Sequence, residues 1–292
     1  MWILAQAPQA ESAHIAIVPD QLRRGSHGYV TLCAKGISGI GRIARMSVAS
    51  ARSANAVTLG DALGQKAAAS SQLMQSAVTD FGRVVYSSSL GAESVVLTDL
   101  ICKTVPVIDI VTIDTGRLPD ETLELIGRIE KHYQRRIRVY VPEAAAVERF
   151  VRLNGINGFR DSVAQRQECC GVRKVEPFNR AVAGYQAWVT GVRREQSQAR
   201  ANNAPIELDP RNGLRKIAPL LDWSEDEVWQ YIRALDLPYN PLHDRGYPSI
   251  GCAPCTRAIQ PGEDHRAGRW WWESAATREC GLQPRATPIA GG

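Results

Sequence analysis

Two pairs of cysteines are the residues best suited to chemistry: adjacent Cys169 and Cys170, and Cys252 with Cys255 in a C-x-x-C spacing. Thiolates bind soft metals, and four of them satisfy one tetrahedral or cubane centre. Four cysteine ligands suit a [4Fe–4S] cluster. Tetrahedral zinc is an alternative, and so is a redox disulfide between Cys252 and Cys255. Spacing alone leaves these three open. Cys280 stands apart near the end, in Glu279-Cys280-Gly281-Leu282. Nearby cations would lower its pKa and make it a nucleophile; without them it is an inert thiol. Cys33 and Cys102 complete the seven and read as incidental, Cys102 as helix core.

Four further stretches carry groups suited to anions. Ser87-Ser88-Ser89-Leu90-Gly91 lies between an apolar run and a helical pattern. Small residues there let backbone N–H groups and hydroxyls approach an anion at a helix start. The loop lacks the Gly-Lys-Ser/Thr ending of a Walker A motif. Asp114-Thr115-Gly116-Arg117-Leu118 closes the most apolar run, where a nucleotide contact and a plain turn are equally served. Arg193 and Arg194 follow the fourth apolar run, Ala187–Val192. Arg266 and Arg269 are spaced to reach one anion, and guanidinium pairs well with sulfate or phosphate. They precede Trp270-Trp271-Trp272, which also reads as a hydrophobic clasp.

The elements that must position these groups alternate. Short strands are expected at 83–86, 105–113, 137–141 and 187–192. Between them lie helices over 93–103 and after Asp120, which is expected to cap its helix, with Leu123, Ile126 and Ile129 as the buried stripe. Ser224 and Glu227 form a capping box ahead of Val228, Tyr231, Ile232 and Leu235. Strands alternating with helices predict an α/β fold, a parallel twisted sheet with helices on both faces. Ligands of such sheets bind at the carboxyl ends of the strands, and three of the four anion-binding stretches follow strands.

Residues 1–70 differ in composition, with only Glu11, Asp20 and Asp61 as acids. They read as a poorly defined, disordered extension, or as sequence upstream of a true start at Met46. A transit peptide is the third option. The remainder divides into a domain over 75–265 and a flexible C-terminal tail over 266–292. The 292 residues carry 44% apolar and 22% charged residues, which excludes a mostly disordered or fibrous chain. No apolar run is long enough to cross a membrane as a helix. The net charge of +5 favours anionic partners only weakly and does not mark a nucleic-acid binder. With an odd cysteine count and no evident secretory signal, a reducing cytoplasm is expected.

Taken in order, the segments YSSSLGAES, IDTGRLPDET, ECCGVRKVEP, WVTGVRREQS, GCAPCTRAI, GRWWWE and ECGL resemble the assimilatory sulfonucleotide reductases. Within these they look most like the thioredoxin-dependent adenosine 5'-phosphosulfate (APS) reductases. The resemblance covers residues 75–282. The two cysteine pairs with the final ECGL are its most specific part. They are missing from plain phosphoadenosine phosphosulfate (PAPS) reductases, so PAPS or dual APS/PAPS reduction is the alternative. The resemblance implies an adenine nucleotide alpha hydrolase-like (ATP pyrophosphatase-like) fold, although Ser87–Ser94 departs from the S-G-G-x-D-S loop of those relatives. It implies that Cys169, Cys170, Cys252 and Cys255 hold a [4Fe–4S] cluster and that Cys280 is the nucleophile. Ser87, Ser88, Ser89 and Gly91 would line the phosphosulfate loop. Thr115 and Leu118 would lie near the adenosine. Lys174, Arg266 and Arg269 would hold the sulfate, with Arg193 and Arg194 close by. The reductant would be a separate thioredoxin or glutaredoxin, since no thioredoxin-like domain follows, and a homo-oligomer is expected. The tail departs from the family's E-C-G-L-H: Gln283 replaces the histidine and cannot titrate near neutral pH.

Overall fold

Alternation of side chains across the central strands fixes which helices cover which face. In β1 (Val84–Ser88), Val84 and Tyr86 face one way and Val85 the other; in β4 (Ala187–Val189), Trp188 opposes Ala187 and Val189. One set packs with Met74, Val96, Leu97, Ile101 and Ile232, and the other with Phe178, Ala181 and Val182. Each such fully buried aliphatic side chain stabilises the fold by about 1.5–3 kcal/mol. A computed structural model describes residues 59–197, 200–274, 277, 278 and 282. Cys33, Cys280 and Gln283 lie outside the described residues, as do residues 1–58.

Among the described residues, six strands pair in the order β3-β2-β1-β4-β6-β5. β2 is Asp109–Ile113, β3 Arg138–Tyr140, β5 Ile206–Leu208 and β6 Arg215–Ile217. All pairings are parallel except β5 with β6, a hairpin edge that the expected all-parallel sheet did not contain. Its turn closes with the Gly213 N–H donating to Asp209 O at 2.8 Å, at a φ of +72°. The strands are shorter than expected. Val105 ends the preceding helix by donating to Ile101 O, and Val107 is exposed.

Helix α1 (Asp61–Phe81) corrects the N-terminal boundary, because residues 61–70 belong to the folded domain. Leu63, Ala67 and Ser70 are buried. Ser70 Oγ donates to Pro219 O at 2.7 Å and accepts from Trp223 Nε1 at 3.1 Å. α2 is Ala92–Thr104 and α3 is Asp120–Tyr133. Pro119, not Asp120, occupies the cap position of α3, and the buried face is Thr122, Leu125 and Ile129, with Leu123 exposed. α4 is Ala144–Asn154. The Ser224 capping box on α7 (Glu225–Ala234) forms as expected.

One long helical run covers the other face of the sheet. α5 (Val163–Cys170) passes into a π-helical segment over Gly171–Val175, then into α6 (Glu176–Val182). A π segment of this kind marks a local departure from α spacing, often at functional sites. Here it begins immediately after the adjacent cysteines.

Candidate active site

The carboxyl ends of β1, β2 and β4 open into a cavity of about 230 Å³. Its first wall is the serine loop. Leu90 turns the chain at a φ of +60°. Ser94 Oγ accepts from the Ser89 N–H at 3.0 Å and lies 2.9 Å from Ser89 Oγ. Thr112 Oγ1 donates to Ser88 O at 2.9 Å, fastening the loop to β2. Gly91 caps α2 without a side-chain bond, so the first-turn N–H groups face this loop and favour an anion. Ser87, Ser88, Ser89 and Gly91 all line the cavity.

Glu93 stands in that same first turn, where a bare carboxylate would oppose an anion. Its Oε1 accepts from Arg193 Nε and Gln196 Nε2, each at 2.9 Å. Arg193 is 2% exposed and also pairs with Glu195 at 3.0 Å. Arg194 pairs with Asp222 at 2.6 Å and donates to Ala201 O. Neither arginine lines the cavity, which corrects the expectation that they stand beside the sulfate. Arg200, from the same basic run, lines it instead.

A second wall is cationic: Lys174, Arg173, Arg117, Arg266 and Arg269. Arg269 Nη1 donates to Ile250 O at 3.2 Å, and its guanidinium lies 4.6 Å from the Trp270 ring centre. Gly251 permits this, since a Cβ there would overlap the Arg269 guanidinium. Arg257 and Glu263 clamp the segment before Arg266, at 2.8 Å. That clamp holds the Glu263 carboxyl down at about 2, chiefly through the Arg257 hydrogen bond.

The third wall carries the cysteines. Cys169, Cys170, Cys252 and Cys255 all line the cavity and are all free thiols. Cys252 Sγ lies 3.1 Å from Thr115 Oγ1. Thr115, expected at the adenosine, thus touches the thiol wall, while Leu118 lines the cavity. Arg173 Nη1 donates to Thr115 O at 2.8 Å, and its charge opposes the burial that raises the Cys169 thiol. Burial pushes Cys255 up to about 12, and the nearby Cys252, Cys170 and Cys169 push in the same direction. The Cys255 thiol therefore senses the other three. Among the described residues no three Cys, His, Asp or Glu side chains are drawn together as a metal cage. By chemistry the donors suit a thiolate-bound centre: four soft sulfurs line one cavity, and the Arg173 charge acts on Cys169. Cys102 stands elsewhere, half-buried near Arg135.

Sequence reasoning missed several cavity residues. Arg117, Arg166 and Arg173 lie beside recognised motifs but carry no spacing signal of their own. His243 also lines the cavity; its two ring nitrogens are buried, and burial lowers its pKa.

A mostly parallel sheet gathers a serine loop, a helix start, arginines and four thiols around one cavity at its carboxyl edge. That is the layout of an α/β enzyme handling a nucleotide-linked anion. Residues 83–258 match the phosphoadenosine phosphosulfate reductase domain, and the chain belongs to that family. It is 55% identical over 225 residues to an adenosine 5'-phosphosulfate reductase of Allochromatium vinosum, covering 77% of this chain and 88% of the relative. A Burkholderia cepacia protein of the same name is 54% identical, covering 71% and 83%. Among solved structures, a phosphoadenylyl-sulfate reductase from Candida auris, in a phosphate complex, aligns with a TM-score of 0.56 at 28% identity. The alignment covers 69% of this chain and 98% of that one. An FMN adenylyltransferase mutant from Candida glabrata shares the fold, with a TM-score of 0.50 at 15% identity, covering 69% and 68%.

Proposed function

We propose that this protein is an assimilatory APS reductase that forms sulfite and AMP with reduced thioredoxin. The observation that carries this reading is the convergence of all four paired cysteines, the serine loop and the arginine wall on one cavity. The names of its relatives at 54–55% identity agree with it.

In this reading the loop from Ser87 to Gly91 and the start of α2 hold the phosphosulfate. Lys174, Arg266 and Arg269 spread the charge of the sulfonyl oxygens, which would otherwise repel an anionic nucleophile. The Cys280 thiolate attacks the sulfur of APS, the S–O bond to phosphate breaks, and AMP leaves with that electron pair. An S-sulfocysteine remains. A thioredoxin thiolate then attacks the Cys280 sulfur, sulfite departs, and the second thioredoxin thiol resolves the mixed disulfide. Thioredoxin ends oxidised and Cys280 returns as a thiolate.

Cys169, Cys170, Cys252 and Cys255 would hold a [4Fe–4S] cluster that supplies a fixed local field and rigidity rather than electrons. Arg173, whose charge acts on Cys169, and Lys174 line the same cavity.

Anaerobically purified protein, given APS and reduced thioredoxin, is expected to release sulfite and AMP in equal amounts. No sulfite from APS, under conditions where thioredoxin is active, overturns the reading. The Candida auris relative's name favours PAPS as a second substrate. Direct competition between APS and PAPS decides, because a 3'-phosphate needs a cation of its own.

A further inference from the structure

Arg166 lies one helical turn before Cys170 and is 1% exposed. A guanidinium cannot shed its charge, so it survives burial only with its donors satisfied. It finds its partners in the chain's C-terminal segment. Nε donates to Glu273 Oε1 at 2.8 Å and Nη2 to Glu273 Oε2 at 2.9 Å, a bidentate pair. Nη2 also donates to Thr277 O at 2.8 Å. The guanidinium carbon lies 4.8 Å from the Trp270 ring centre. On the cavity side the same group hydrogen-bonds Cys170.

The base of the tail touches the other cysteine pair as well. The Trp270 N–H donates to Cys255 O at 3.1 Å, and Trp270 holds a φ of +44°, a strained backbone for a bulky residue. Glu273 O in turn accepts from Arg278 Nε at 2.9 Å. Trp270, Glu273 and Thr277 are therefore fastened to the two cysteine pairs through two short routes. The expected flexible tail is, where described, a packed one: Trp270, Glu273 and Leu282 are buried.

We propose that Arg166 is a positioning residue that couples the cysteine wall to the seating of the C-terminal segment, through its pair with Glu273. The consequence for turnover rests on the reading above, in which that segment carries the nucleophile; the coupling itself does not. Loss of order at Cys170 would loosen Arg166, and with it the hold on Glu273 and Thr277.

The test is limited trypsin digestion of the full-length chain, with cleavage after Arg278 followed by mass spectrometry. Cleavage after Lys66, in α1, serves as the control for global unfolding. Glu273→Gln is expected to speed cleavage at Arg278 about tenfold, as a local opening, with Lys66 unaffected. Cys170→Ala is expected to speed it too, and the double variant to be no faster than Glu273→Gln alone. A Cys170→Ala protein with wild-type cleavage at Arg278, or additive rates in the double variant, overturns the coupling. If single variants unfold, Arg166→Met with Glu273→Leu removes the pair while keeping apolar packing. Slow Arg278 cleavage in that protein also overturns it. In turnover, Glu273→Gln should lower kcat about tenfold with KM for APS changed less than about twofold, which a purely structural lesion would not separate. Coupled cleavage in a protein that makes no sulfite supports the coupling and overturns the functional reading; sulfite production with uncoupled cleavage does the reverse.

Discussion

Arg193 Nε donates to Glu93 Oε1 at 2.9 Å, behind the loop that is proposed to receive the phosphosulfate. The pair resolves a conflict: an acid favours a helix start, yet an anion site there needs no second negative charge. Arg193→Met leaves that carboxylate without its cation. Breaking such a pair is expected to cost about 3–5 kcal/mol of stability. It should also raise KM for APS about tenfold, because uncompensated charge faces the substrate. Denaturant unfolding and steady-state kinetics check both; an unchanged KM would assign Arg193 to the scaffold alone.

Gly251→Ala places a methyl group where the Arg269 guanidinium now lies. Arg269 must move away from Ile250 O. A rise of about tenfold in KM for APS is expected from one misplaced cation, with little change in melting temperature. Equal affinity in the variant would remove Arg269 from the substrate wall.

Cys252→Ser removes a thiol from the wall and its contact with Thr115. Iron and the visible absorbance of the purified protein should fall sharply. Cys102→Ser, outside the cavity, should keep both. Full stoichiometric zinc with no iron in the wild type would contradict the cluster assignment.

The Arg257–Glu263 clamp has a predictable pH response. Glu263 titrates near 2 when folded, below the ordinary 4.5. A depressed carboxyl pKa contributes stability that is fully present above the ordinary value and is lost as pH falls through the folded one. Between about pH 4.5 and 2 the segment leading to Arg266 should therefore loosen progressively. Carbon-detected NMR of Glu263 would read the midpoint; a value near 4.5 would mean that the clamp does not hold in solution.

The chain's function was more legible than its geometry. Cysteine pairing, the serine loop and the apolar runs were plain in the sequence, because residue type and period 2 or 3.6 patterning carry them. The capping box at Ser224 held because its two reciprocal bonds are local. The boundaries failed where tertiary contacts decide. α1 reaches back to Asp61 because Ser70 and Lys66 find partners near residues 219–227. The adjacent arginines mislead by composition: a basic run shows cations but not their partners, and Glu93 and Asp222 capture Arg193 and Arg194. Arg166 gave no signal, since its partners Glu273 and Thr277 lie 107 and 111 residues away. The π segment after Cys170 likewise has no short sequence signature, yet it begins directly after the cysteine pair and carries Arg173 and Lys174.

The most direct test of the central claim is mass spectrometry of the intact protein after incubation with APS in the absence of any thiol reductant. The expected result is AMP release and a gain of one SO₃ group on the peptide containing Cys280, discharged as sulfite when reduced thioredoxin is added, and no gain in Cys280→Ser. An unmodified Cys280 peptide in protein that still turns APS over would contradict it.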